Sequence, residues 1–270
     1  MGKKLYLCTE LTQFIEMISK NQIKFVHQLE QKKYRKQEGL FIAEGHKVVG
    51  DLIKSGFVPK QIFATSEWID KNNYPNVIEV TNDELTRLSL QQHPQQVIGI
   101  FQIPEESQNP DLQLLSIKPS TSSLSLFLDN VQDPGNLGTI IRIADWFGID
   151  TIYCSEGTVD AWNPKVVQAT MGSIARVHII YIDPIKLFNI LPEDYPIYGT
   201  FLDGENIYTQ QLSQYGIIVM GNEGNGISDA VRARVTHKLL IPDFHQGDTA
   251  DSLNVAIATA ITCSEFRRRL

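Results

Sequence analysis

Cysteine is scarce in this chain, and the scarcity excludes two classes of protein at once. Cys8, Cys154 and Cys263 are the only three in 270 residues, far apart and without a CxxC. A disulfide framework or a zinc knuckle needs more thiols at closer spacing, so reduced cytosolic thiols are the simplest reading. The six histidines form no HxxxH and no Cys/His pair, and no metal site is expected. Long apolar runs are also missing. The stretch from Leu253 to Cys263 is among the longest, is interrupted by Asn254 and Thr259, and falls short of the roughly 20 residues a membrane helix needs. Met1-Gly2-Lys3-Lys4 is followed by an apolar stretch broken by Thr9, Glu10 and Thr12, which makes a poor secretory signal, and Met17 is an alternative start. These absences point to a cytoplasmic protein that does not enter a membrane.

Basic charge is in deficit as well, with 24 Lys and Arg against 31 Asp and Glu. The deficit is not uniform: residues 1–119 balance 14 basic with 14 acidic side chains, while residues 120–270 hold 10 and 17. Between positions 20 and 36, Lys20, Lys24, Lys32, Lys33, Arg35 and Lys36 face Glu30 alone. That local surplus is large enough to attract phosphates; the alternative is a solvated helix face.

With 42% hydrophobic residues the chain is an ordinary globular protein of one large or two smaller domains. Its first part mixes helix and strand signals: helices at 22–31, 46–55 and 83–90, the last capped by Thr81 or Asn82, and strands at 40–43, 61–64, 77–80 and 97–101. Residues 17–103 thus make a small α/β domain. Residues 104–123 turn to Pro, Glu, Ser, Asn and Thr and read as a linker, with a short helical turn at 112–115. Residues 124–270 alternate strands (124–128, 151–154, 177–181, 197–201, 217–220, 238–241) with helices (137–147, 164–171, 228–235, 252–268). Unalternated apolar strands between helices predict an α/β fold with a mostly parallel sheet covered on both faces.

Three blocks carry chemistry. In Asp129-Asn130-Val131-Gln132-Asp133-Pro134-Gly135-Asn136-Leu137-Gly138, turn residues lead straight into a helix whose first N–H groups are free for a polar ligand. On that helix Leu137, Ile140, Ile141, Ala144 and Phe147 share one face. Gly138, Arg142 and Asp145 lie opposite, with glycine expected to leave space beside the guanidinium. A surface pair of Arg142 with Asp145 at i+3 is the plain alternative. In Gly221-Asn222-Glu223-Gly224-Asn225-Gly226, three glycines after an apolar strand let backbone approach a flat ligand. A phosphate loop or a tight strand-helix turn is the other reading, and Glu223 is unwelcome beside a phosphate. The third block runs from Ile241-Pro242 through a polar loop to Ser252-Leu253-Asn254, with Ser252 expected as N-cap and Asn254 in the first turn. The following helix is apolar nearly all round, so it is buried either within the monomer or against a second subunit.

Together these blocks resemble the three motifs of the SpoU (TrmH) family of RNA ribose 2'-O-methyltransferases, within the SPOUT superfamily. The matching residues are Asn130, Asp133, Pro134, Asn136, Gly138 and Arg142, then Gly221-Asn222-Glu223-Gly224 with Gly226-Ile227-Ser228, then Ile241-Pro242 and Ser252-Leu253-Asn254-Val255-Ala256. Residues 17–103, with Lys32-Lys33-Tyr34-Arg35-Lys36 and Gly39-Leu40-Phe41-Ile42-Ala43-Glu44-Gly45, are similar to the RNA-binding domain that many members carry. The resemblance implies a trefoil knot in residues 124–270, S-adenosylmethionine as cofactor, and a homodimer acting on RNA, ribosomal rather than transfer RNA. It implies that Thr200, Leu202, Gly221, Ile241 and Leu253 hold the cofactor, with Gly224 and Pro242 shaping its pocket. Arg142 is the expected central catalytic residue, supported by Asn136, Glu223 and Asn254. Lys24, Lys32, Lys33, Arg35 and Lys36 are the expected RNA contacts. The loop at 243–251 is longer and more acidic than the family's usual connection. Two rival readings remain at this level: a nucleotide-binding α/β protein using the 221–226 loop, and an inactive RNA-binding protein of the same fold.

Overall fold

The computed structural model describes residues 18–109, 117, 120–245 and 250–268. The alternative start at Met17, Cys8, the turn at 112–115 and positions 246–249 of the polar loop lie outside them. The chain builds two sheets. The first arises from α1 (Lys20–Gln28), α2 (Lys32–Glu38), β1 (Leu40–Glu44), α3 (His46–Lys54), β2 (Pro59–Ala64), α4 (Ser66–Asn72), β3 (Val77–Glu79), α5 (Asn82–Leu88) and β4 (Val97–Gln102), and its strands run in the order β1-β4-β2-β3. β4 is antiparallel to both neighbours, and β2 and β3 are parallel.

Local chemistry sets these boundaries. Ser19 and Thr81 open α1 and α5 as reciprocal capping boxes with Gln22 and Glu84. Gly39, at φ 64°, closes α2 in the left-handed conformation that glycine adopts without strain. The helix expected at 22–31 therefore ends at Gln28, and α2 follows as a separate polar helix with no apolar period to announce it.

After the four-residue helix α6 (Glu105–Gln108), the second sheet uses β5 (Leu124–Leu128), α7 (Pro134–Trp146), β6 (Thr151–Cys154), α8 (Pro164–Ala169), β7 (His178–Tyr181), α9 (Pro184–Asn189), β8 (Ile197–Asn206), β9 (Gly216–Met220), α10 (Asp229–Arg232), β10 (His237–Leu240) and α11 (Val255–Arg267). The order is β10-β8-β9-β5-β6-β7, parallel throughout. The strand order reverses at the β5–β9 pair, the switch point where such sheets bind ligands.

Two features of the second sheet differ from expectation. β8 runs to Asn206 instead of ending at 201, because its register with β10 jumps: Lys238 pairs with Gly199, but Leu239 pairs with Glu205. Residues 200–204 are thereby thrown out of the ladder. Gly204 allows this, since a Cβ there would lie 2.6 Å from the Leu239 carbonyl carbon. Gly138 also has a role other than the expected one. It is buried against α8, where a Cβ would sit 2.4 Å from the Ala169 Cβ, so the glycine brings two helices together and gives no room to Arg142.

The two sheets share one continuous core. Phe41, Val49, Leu52 and Trp68 of the first part pack in the same cluster as Leu126, Ile141, Ile152 and Trp162 of the second. Trp162 lies 4.6 Å, centroid to centroid, from Phe41. Arg35 reinforces this seam. It is only 2% exposed, pairs with Asp160 at 2.6 Å and donates to the carbonyls of Leu29 and Glu30. The expectation that Arg35 contacts RNA is therefore corrected: its guanidinium is consumed inside the protein, while Lys24, Lys32, Lys33 and Lys36 are exposed.

Candidate active site

The site forms where loops leave the carboxyl ends of β5 and β9. Asp129, 2% exposed, ties them together: its N–H donates to the Met220 carbonyl, and its carboxylate accepts from the Ser228 N–H and the Asn130 side chain at 2.8 Å each. The 221–226 loop closes on itself through paired backbone hydrogen bonds between Asn222 and Gly226, both 2.9 Å. A Cβ at Gly221 would lie 2.4 Å from the Gly226 carbonyl carbon, so no other residue fits this crossing. The Asn222 side chain donates to the Asn130 carbonyl at 2.7 Å and accepts from the Gly224 and Asn225 N–H groups. Asp129, Asn130 and Asn222 stood in the sequence blocks without individual roles; Asx residues at strand ends were the available signal.

The three motifs meet in a chain of amides. Asp133 caps α7 by accepting from the Asn136 N–H. The Asn136 side chain donates to Glu223 Oε1 at 2.8 Å, and its Oδ1 accepts from Asn254 Nδ2 at 2.9 Å. Asn254, not Ser252, is the N-cap of α11: its Oδ1 accepts from the N–H groups of Ala256 and Ile257. The expectation for Ser252 is corrected, since helix begins only at Val255 and residue 254 alone can reach those donors.

Arg142 lies further along α7, exposed, with no hydrogen bond or ion pair to its side chain among the described residues. Its pairing with Asp145 does not occur. Asp145 is held by Arg176 at 2.7 Å.

Beside the amide chain lies a cavity of about 620 Å³, lined by Thr200, Leu202, Gly221, Glu223, Gly224, Ile241 and Leu253 among others. Its walls come from the 200–204 excursion, the glycine loop and the approach to α11. Six of the seven expected cofactor residues line it. Pro242 does not; it follows Ile241 half-buried at the turn. Asp203 and Asp251 join Glu223 on the lining against Arg232, which Asp203 engages as an ion pair and whose guanidinium lies over the Phe201 ring. This acidic balance suits a cation and repels phosphate. The Ser228 N–H at the start of α10 is already taken by Asp129, which further disfavours a phosphate loop. Among the described residues no group of three or more His, Cys, Asp or Glu is placed to hold a metal, and no helix is long and apolar enough to cross a membrane.

Solved structures share this architecture over nearly the whole chain. A TrmH-family protein from Porphyromonas gingivalis superposes with a TM-score of 0.82 at 40% identity, covering 94% of this chain and 100% of its own. The AdoMet-bound rRNA methyltransferase from Sinorhizobium meliloti gives 0.79 at 32% identity, covering 92% and 94%. By fold and site the protein is of the TrmH structural class of RNA methyltransferases. Residues 123–264 match the SpoU rRNA Methylase family, and residues 20–99 match the MRM3-like substrate binding domain. The chain belongs to the SpoU rRNA methylase family. Among its relatives, the Bacillus subtilis 23S rRNA (guanosine(2553)-2'-O)-methyltransferase is 31% identical over 94% of this chain and 98% of its own length. The human mitochondrial rRNA methyltransferase 3 is 34% identical over 66% of this chain and 43% of its own.

Proposed function

We propose that this protein transfers a methyl group from S-adenosylmethionine to a ribose 2'-hydroxyl of ribosomal RNA. The observation that carries the reading is the Asn254–Asn136–Glu223 chain at the edge of the cavity, with Arg142, which has no side-chain partner among the described residues, on the same helix as Asn136. The cavity fits the cofactor. Its volume falls in the range of roughly 300–1,000 Å³ typical of small-molecule sites, its walls offer Leu202, Ile241 and Leu253, and its acidic balance suits a sulfonium cation. When bound, the cofactor supplies an electrophilic methyl group.

The remaining work falls to the chain's own residues. Backbone at Thr200, Leu202, Gly221, Ile241 and Leu253 holds the cofactor, Gly224 shapes its seat, and Pro242 acts only from behind, by fixing the turn after Ile241. Arg142 orients the ribose hydroxyl or a neighbouring phosphate; a guanidinium holds its proton too firmly to be a good base, so orientation is its task. Asn136, Glu223 and Asn254 fix the loops around it.

We also propose that residues 17–103 bind the RNA through Lys24, Lys32, Lys33 and Lys36, that 104–123 link the two parts, and that 124–270 carry the trefoil knot and the chemistry. Two copies pair through the outer side of α11, where Ile257 is 53% exposed while Thr259, Thr262, Cys263 and Phe266 face inward. The enzyme acts in the cytoplasm. Support for ribosomal RNA comes from relatives that methylate it.

The test maps 2'-O-methyl positions in total RNA from cells with and without the gene, then complements with Arg142→Ala. One ribosomal position should lose its methyl group and stay unmodified in the variant, while purified Arg142→Ala binds cofactor as before. A full set of methyl marks without the gene, or normal turnover by Arg142→Ala, overturns the reading.

A further inference from the structure

We propose that Arg176 is a positioning residue for methyl transfer: by engaging Asp145, it keeps that carboxylate from capturing Arg142. The inference rests on the reading of Arg142 as the residue that orients the ribose hydroxyl.

Arg142 and Asp145 stand at i and i+3 on α7, the spacing at which opposite charges on a helix pair. They do not pair here, and the neighbours of Asp145 show why. Arg176 Nε donates to both carboxylate oxygens at 3.1 and 3.0 Å, and Nη2 donates to Oδ2 at 2.7 Å. Such a fork is the strongest arrangement available to a guanidinium and a carboxylate. Lys47 adds a further positive charge near the same carboxylate. Arg176 thus occupies both oxygens of the carboxylate that Arg142 would otherwise meet.

Arg176 is itself held from the other side. Its Nη1 donates to Asp51 Oδ2 at 3.3 Å, and Lys47 meets the same oxygen at 3.3 Å. Asp51 and Lys47 belong to α3 in the RNA-binding part, whereas Asp145 and Arg176 belong to the catalytic part. Two cations and two carboxylates thus close into a neutral quartet across the seam. Gly172 brings the turn before Arg176 up to it: its φ is +96°, and a Cβ there would lie 2.4 Å from Asp51 Oδ2. Without Arg176, two carboxylates would face Lys47 alone, one helical turn from Arg142. The guanidinium would then turn toward Asp145 and away from the substrate. The quartet also links the seating of the RNA-binding part to the freedom of the catalytic arginine.

The test is an epistasis experiment on the full chain, reading kcat at saturating RNA and S-adenosylmethionine, so that repulsion of RNA by a bare carboxylate is not what is measured. Arg176→Ala should slow kcat about threefold, a shift within what partly exposed ion pairs contribute. Asp145→Asn alone should stay near wild type. Combining the two should restore kcat, because the competing charge is gone, and Arg176→Lys should retain most of it. A merely structural Arg176 would give no such rescue. An unchanged kcat in Arg176→Ala, a double variant as slow as the single one, or loss of cofactor binding in Arg176→Ala each overturns the proposal. Arg142→Ala separates the two levels. If it turns over normally, the reading of Arg142 has failed; if it is inactive and no rescue is seen, only the role of Arg176 has failed.

Discussion

The side-chain amide of Asn254 donates to the side-chain oxygen of Asn136 at 2.9 Å, joining positions 118 residues apart. The other end of the Asn254 side chain caps α11, so a single residue both starts the last helix and reaches the motif after the first strand of its sheet.

Asn254→Asp separates these roles. A carboxylate still caps the helix, so the melting temperature should stay close to wild type. It cannot donate to Asn136 Oδ1 and brings a second negative charge near Glu223, so methyl transfer should fall at least tenfold. Asn254→Ala should lose activity and, in addition, about 1 kcal/mol of stability with the cap. Denaturant unfolding beside a methylation assay checks both, and equal activity in the Asp variant and wild type would sever the amide chain from function.

Arg35→Ala should destabilise the protein by about 3 kcal/mol, the cost of removing one partner from a buried ion pair. The carbonyls of Leu29 and Glu30 lose their donor at the same time. A change under about 1 kcal/mol, the size of an exposed pair, would show that the guanidinium is not committed to the seam.

Replacing Lys32, Lys33 and Lys36 together by Ala should leave stability nearly unchanged while weakening RNA binding and flattening its dependence on salt. Binding titrations at several salt concentrations read the slope directly. An unaltered slope would make these lysines a solvated face only.

Glu44 offers a pH signature. Burial lifts its carboxyl above the ordinary value of 4.5, against the opposing hydrogen bonds from Ser89 and Leu90 and the charge of His27. In the pH range just above 4.5 the folded protein therefore binds more protons at this position than the unfolded chain, and stability from this group rises as pH falls through that range. Glu44→Gln should remove that contribution. Unfolding free energies compared across the range in both proteins check it, and identical slopes would contradict it.

Much of this molecule was legible in its sequence, and the illegible parts have physical causes. The apolar strands β5, β6 and β9 and the helix α7 declare themselves by unalternated hydrophobics and by the turn Asp133-Pro134-Gly135-Asn136. The meeting of Asn136, Glu223 and Asn254 was implied by family likeness, not by spacing, because contacts between segments so far apart leave no periodicity. α2 and α4 escaped notice, being short and mostly polar, although Asn73 in left-handed geometry ends α4 much as Gly39 ends α2. α10, expected over 228–235, is only four residues long. Arg35 was lost in a run of like charges, since a charge count does not say which member points inward. Gly138 looks in the sequence like space for a neighbouring side chain, whereas it serves contact between helices.

The wedge of Trp162 against Phe41, reinforced by the buried Arg35, has a consequence for recognition. Because apolar packing and ion pairs join the two sheets, the exposed lysines of the first part and the cavity of the second are carried on one packed core. On the proposed reading, an RNA that reaches both at once is gripped as by a caliper, and its own curvature decides whether the two jaws meet it together.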